Sequence, residues 1–211
     1  MSITPSICRL ITLPKSLVDV GCGTGGFINS SRRWGNYSKV RKAYKIGLDI
    51  YDPFLRDAKR IYDEVIKCDV KCIPLRNTII DVVICSQVIE HLEKEGGLRL
   101  LNELERICCN EIMLTTHVGH YAKLCPEDDN PFQAHRSVWY PFEFIAKGYL
   151  VRGFHGARFP YVKKSSYPYF KVRWLIRVFC VITEFLAYFF PSAAYQMLCV
   201  MDVKKRKSQI S

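Results

Sequence analysis

The apolar residues of this chain come in short runs, each broken by glycine, proline or an acid before a stretch of mixed polarity. Runs at 17–20, 44–50, 64–68, 81–85 and 111–116 are rich in Val, Ile and Leu and too brief for helices, so each predicts a buried strand. Residues 27–34 predict a helix, and the polar, basic stretch 35–42 a loop. Asp52-Pro53 predicts a helix start, with the aspartate as cap and proline at the first helical position. Between 95 and 108, Leu98, Leu100, Leu101, Leu104 and Ile107 recur at helical spacing with charges among them, an amphipathic helix. Runs at 150–154 and 196–203 predict two further strands. Before the last of them, 172–190 is a wide apolar helical stretch. Arg173, Arg177, Glu184 and Tyr188 give it a thin polar stripe, and Pro191 stops it.

The first run leads into chemistry. Residues 17–27 read Leu-Val-Asp-Val-Gly-Cys-Gly-Thr-Gly-Gly-Phe: strand, glycine turn, helix start. Glycines turn the backbone sharply with positive φ and let a ligand approach the main chain. A helix N-terminus adds unpaired N–H groups. Gly21, Gly23 and Gly26 satisfy the dinucleotide pattern. Asp19, two residues before the first glycine, would repel a pyrophosphate at the mouth of the turn but could accept from an ammonium group. A turn with no ligand is the bland alternative.

This stretch resembles motif I of the class I S-adenosylmethionine-dependent methyltransferases at Asp19, Gly21, Gly23 and Gly25. The resemblance extends over 17–155 and implies a loop wrapped around the methionine end of the cofactor. Asp49 ends the second strand, and its two oxygens suit a vicinal diol; the resemblance assigns it the ribose hydroxyls. The same spacing suits a nicotinamide enzyme, and a helix-capping role for Asp49 stays open. The resemblance sets Asp69 at the adenine amino group with Val70 packed on the ring; a plain turn aspartate is the alternative. It extends the cofactor surface to Cys22, Thr24, Phe27, Ile50, Ser86, Gln87 and Val88. The implied fold is α/β: a Rossmann-like, doubly wound, seven-stranded, mostly parallel sheet of order 3-2-1-4-5-7-6. Helices cover both faces, and an apolar helical insertion precedes the last strand. The chain is expected to be one domain, 1–211, with 156–192 as an aromatic, basic insertion.

The segment Ser86-Gln87-Val88-Ile89-Glu90-His91-Leu92 is similar to the strand-four exit of type 11-like small-molecule methyltransferases. It has no Asn-Pro-Pro-Tyr tetrad, which argues against methylation of a base amino group or a glutamine amide. Quinone-biosynthetic O-methyltransferases carry an extra Glu three residues before Glu-His, making a divalent-metal site. Gln87 stands there in this chain, so no metal is expected, and His91 is read as structural or cofactor-lining. The run 129–139, with His135-Arg136-Ser137-Val138-Trp139, also resembles type 11-like enzymes. Methyl transfer requires in-line positioning of the acceptor, and a hydroxyl acceptor also wants a base. His117, His120 and His135 are the candidates, with His135 favoured by its polar and aromatic neighbours. The alternative is that His135 and Trp139 lock the loop onto the sheet. The implied activity is methylation, at oxygen, of a small or lipid-linked metabolite. RNA methylation and non-catalytic cofactor binding are the alternatives.

Composition narrows the setting. A hydrophobic share of 49% with 24% charged residues is that of an ordinary globular protein with a core. The 10 cysteines are scattered without a Cys-x-x-Cys pair, and residues 1–15 show no signal peptide, which fits a reducing cytoplasm. Net charge is +11, and residues 152–211 supply most of it, with eleven Lys/Arg against Glu184 and Asp202. Basic groups flanking large aromatics suit docking of 160–192 on an anionic membrane surface, at the inner face. A core helix or homodimer interface is the rival reading. Arg177 and Glu184 make the segment impure for a span. Nucleic acid fits less well, because the charge is interleaved with large apolar residues and no RNA-binding module is attached.

Overall fold

Leu17, Val18 and Val20 are fully buried on β1 (Ser16–Val20), as a strand covered on both faces requires. In the computed structural model the described residues are 13–30, 37–119, 130–157 and 170–210. β1 pairs in parallel with β2 (Tyr44–Asp49) on one side and β4 (Ile80–Ser86) on the other. β3 (Glu64–Lys67) extends the sheet beyond β2, and β5 (Cys108–His117) beyond β4, both in parallel. β6 (Leu150–Ala157) and β7 (Ala194–Asp202) complete it, with β7 antiparallel to both neighbours. The order is β3-β2-β1-β4-β5-β7-β6, as the resemblance implies.

Strand periodicity divides the core between the two faces. Val18, Val83, Cys85, Ile112 and Leu114 face one cluster; Leu17, Val82, Ile84 and Met113 face the other. On the first face lies the amphipathic helix α4 (Lys94–Ile107), burying Leu100, Leu101, Leu104 and Ile107. Leu98, expected on that face, is 40% exposed. Ahead of it in the chain are α1 (Gly26–Ser30), α2 (Tyr37–Val40) and α3 (Asp52–Ala58). Behind it come α5 (Pro141–Ala146), α6 (Phe170–Phe189) and α7 (Val203–Ile210).

Several local expectations are corrected. The stretch 35–42 holds a helical turn, α2, because Val40 and Ala43 pack beside Leu17 and Phe27. The expected helix 27–34 is described only as far as Ser30. Asp52 does not cap α3: Tyr51 is the N-cap residue, and the Asp52 carboxylate pairs with Lys67. The basic stretch after β7 is helical, and Arg206 bonds Glu105 at 2.8 Å.

At Glu184 and Tyr188 the stripe on α6 runs opposite to that of a surface helix. Glu184 is 3% exposed and faces inward with Ala187, while Arg152 of β6 lies 5.2 Å from the Tyr188 ring. Ile182, Phe185, Leu186 and Phe189 are 55–69% exposed. No helix of the described residues is long and apolar enough to cross a membrane. Tyr161, Lys163, Lys164, Tyr167 and Tyr169 lie outside the described residues.

Candidate active site

The C-terminal ends of β1, β2 and β4 surround a cavity of about 410 Å³. An adjoining cleft of about 490 Å³ shares Gly21, Gly23, Phe54, Gln87 and Gln133 with it. Ligands of doubly wound sheets bind at this edge, where the strand order reverses.

The glycine turn shapes the wall. Gly21, Gly23 and Gly25 have φ of +70°, +53° and +89°, a region that L side chains rarely adopt. Their surroundings differ. A Cβ on Gly21 would lie 2.3 Å from Val88, and one on Gly25 would lie 2.5 Å from Ile61, so both are glycines for packing. A Cβ on Gly23 would meet nothing closer than Phe54 at 4.0 Å; it would project into the open cradle. The backbone N–H groups here are largely engaged: those of Gly21 and Cys22 donate to the Leu48 carbonyl at 2.8 and 2.9 Å. That of Gly23 donates to Asp49 Oδ2 at 2.9 Å. A pyrophosphate would find few free donors, which weighs against the dinucleotide pattern of the glycines.

Asp49 is the hub. Its Oδ1 accepts from Tyr51 N–H at 2.9 Å while Oδ2 holds Gly23, which ties the glycine turn to the end of β2. The capping alternative is thus partly realised, and each oxygen keeps acceptor capacity toward the cavity. Asp69 is exposed on the rim, with Lys71 Nζ 3.2 Å away and Val70 beside it. Asp19 is 1% exposed beneath the turn, and its Oδ2 accepts the Tyr62 hydroxyl at 2.5 Å. Burial, with the Asp49 charge nearby, raises Asp19 to about 7 although the Tyr62 hydrogen bond opposes it.

Every expected cofactor residue except Gly25 lines the cavity or the cleft: Ile50, Val70 and Val88 the cavity, Cys22, Thr24, Phe27 and Ser86 the cleft, Gln87 both. Sequence reasoning missed Phe54, Asn130, Phe132, Gln133 and Arg136, which face the same space from α3 and from the segment after β5. Phe54, two residues past Asp52, was within reach of a local pattern. The others are placed by packing. Asn130 caps the turn Pro131–Gln133 through its Oδ1, and its buried Nδ2 has no hydrogen-bond partner among the described residues.

The candidate bases divide. His120 lies outside the described residues. His117, at the end of β5, and His135 come together with ring centroids 5.5 Å apart, and His91 stands 4.9 Å from His135. Burial, then the neighbouring imidazoles, lowers His117 to about 4, so it is neutral at physiological pH. The Glu90 carbonyl accepts from Arg136 and Ser137 N–H at 2.8 and 3.1 Å, and His91 Nδ1 lies 3.2 Å from the Ala134 carbonyl. Trp139 does lock this loop down. It is 2% exposed, fills the space above Gly97, and donates to Ser137 Oγ at 2.8 Å. Glu90, quoted in sequence only as part of a motif, is 3% exposed, and burial raises it to about 7.

Residues 18–111 match the sequence model of a methyltransferase domain. A probable tRNA methyltransferase 9B of Mus musculus is 34% identical over 97 residues, 44% of this chain and 20% of that protein. The chain thus spans about a fifth of that relative's length. A chain of the Haloferax volcanii complex between the Trm112 methyltransferase activator and a methyltransferase superposes with a TM-score of 0.60 at 14% identity, covering 94% and 86% of the two chains. A SAM-dependent methyltransferase of Archaeoglobus fulgidus gives 0.54 at 19% identity, covering 89% and 86%. The motif-bearing residues 18–111 are thus similar to a methyltransferase domain, and the sheet as a whole has the fold of these methyltransferase structures.

Proposed function

We propose that this enzyme methylates a hydroxyl of a small or lipid-linked metabolite, and that Asp49 and Gly23 form the centre of its cofactor grip. The observation that carries the proposal is the open space over Gly23 beside a carboxylate pinned by two backbone N–H groups. When bound, the cofactor supplies an electrophilic methyl group on a sulfonium. Asp49 then accepts both ribose hydroxyls, Asp69 and Val70 frame the adenine, and ionised Asp19 accepts from the ammonium group. His135, with His117 behind it, takes the acceptor proton as the methyl carbon bonds to oxygen. A cleft of this size suits the cofactor, and the acceptor would enter beside it from the side of Asn130 and Gln133. Asn130 offers that acceptor a donor with no internal partner among the described residues.

Calorimetry tests the grip. S-adenosylhomocysteine should bind and NAD should not, and Asp49→Ala should weaken S-adenosylhomocysteine at least about 10-fold, the loss of hydrogen bonds to a charged group. Unchanged affinity would remove the ribose assignment.

RNA is the second reading. It is favoured by the 34% identity with a probable tRNA methyltransferase over the motif-bearing residues. On a further line, the outward apolar face of α6 supports docking of the enzyme on an anionic membrane surface, with residues 156–192 as an insertion in one domain. A homodimer seated on that face is the competing arrangement.

A further inference from the structure

We infer that Glu90, His117 and His135 hold a divalent transition-metal ion just behind the wall of the acceptor cavity. Three separate elements supply these groups: the turn after β4, the end of β5 and the loop before α5. One ligand atom from each lies within 4.8 Å of the others. Ligands 2.0–2.2 Å from a tetrahedral ion stand about 3.4 Å apart, so binding would draw the set in by roughly an ångström. Gln87 removes the Glu-x-x-Glu-His arrangement and His91 is outside the set, yet β5 and the loop supply two imidazoles in their place.

The state of Glu90 is the independent observation. Its Oε2 accepts the Thr116 hydroxyl at 2.8 Å, whereas Oε1 is buried with no hydrogen-bond partner among the described residues. A carboxylate oxygen shut away from water without a partner costs stability and calls for an explanation; a cation supplies one. The surrounding shell is already built. Thr116 orients Glu90, the Ala134 carbonyl next to His135 lies on His91, and Arg136 and Ser137 anchor the loop on the Glu90 carbonyl. Such outer contacts fix ligand orientation and metal affinity. Two imidazoles and one carboxylate with a position left open are the donor set of a catalytic zinc-type site. They suit zinc, manganese or cobalt better than calcium or magnesium, which prefer all-oxygen ligands.

His91, 4.9 Å from His135, and Arg136, the next residue along the chain, line the cavity, so the group lies behind that wall. With His135 and His117 taken up as ligands, the ion would take the place of His135 as base: it would polarise an acceptor hydroxyl and ease loss of its proton to water. The oxygen then bonds to the methyl carbon, the carbon–sulfur bond breaks, and its electron pair stays on sulfur as a thioether. This role rests on the proposed oxygen methylation; binding of the ion does not.

The test uses the full chain, stripped with a chelator and titrated with Co²⁺ by absorption and with Zn²⁺ by calorimetry. S-adenosylhomocysteine binding is measured on the same samples. One equivalent of each ion should bind, with the d–d spectrum of nitrogen and oxygen ligation. Glu90→Gln and His135→Ala should each weaken the ion at least about 10-fold while S-adenosylhomocysteine affinity is kept. His135 sits on a loop, so its variant guards against misfolding of the buried Glu90 change. Absence of stoichiometric binding, equal binding by both variants, or an intense near-ultraviolet thiolate band would overturn the site. Co²⁺ binding without S-adenosylhomocysteine binding would leave the site standing and remove the cofactor grip instead. Methyl transfer unaffected by stripping would overturn the ion's role in the reaction.

Discussion

Asp19 shows how much one buried carboxyl can govern. Its ordinary value is 3.8, and burial lifts it to about 7 in the fold. Below the ordinary value both folded and unfolded chains hold the proton. Between that value and about 7 only the folded chain does, so the stability Asp19 contributes fades as pH rises through this window. An ammonium group on a ligand favours the ionised form. Affinity for S-adenosylhomocysteine should therefore climb by up to about tenfold between pH 6 and pH 8, one proton's worth of linkage. In Asp19→Asn the climb should vanish; calorimetry at the two pH values checks it, and a slope that survives the substitution would separate Asp19 from the ammonium.

At the scale of elements, α6 is the departure from expectation. Its polar positions Glu184 and Tyr188 turn toward β6, and its large apolar side chains turn out. The helix can lie that close because β6 carries Gly153: a Cβ there would meet the Ala187 carbonyl at 2.2 Å. The proposed docking on an anionic bilayer would use this outward row of Phe185, Leu186 and Phe189, in a chain whose basic excess belongs to residues 152–211. Replacing all three with Ser should abolish flotation with anionic liposomes and leave the thermal midpoint nearly unchanged, since these side chains contribute little to the core. Flotation equal to wild type would end the membrane reading, and loss of a dimer in its place would assign the face to a second copy.

For the whole molecule, the distribution of charge and space bears on the acceptor. The cavity is lined by the glycine turn, α3 and residues of the segment 130–136, while the basic excess belongs to residues 152–211. Labelled methyl offered with total lipid, small-molecule and RNA fractions should appear in lipid or small molecules. Label in RNA would move the assignment to the second reading.

What the sequence determined by itself is what local spacing encodes. Val18 and Val20 around Asp19, the positive-φ glycines after them, and acids at the ends of β2 and β3 are short-range features, and they yielded the sheet order through resemblance and most of the cavity wall. Boundaries erred where packing overrode composition, as at Val40, drawn into the core from a polar stretch. Only tertiary structure decided which face of α6 points outward, because a thin polar stripe fits either a solvated or an inverted helix until its neighbour is known. It alone brought Glu90 to His117 and His135 as well. These residues lie as many as 45 positions apart, and no periodicity reaches that far; the register of β4 on β5 and the Trp139 anchor bring them together.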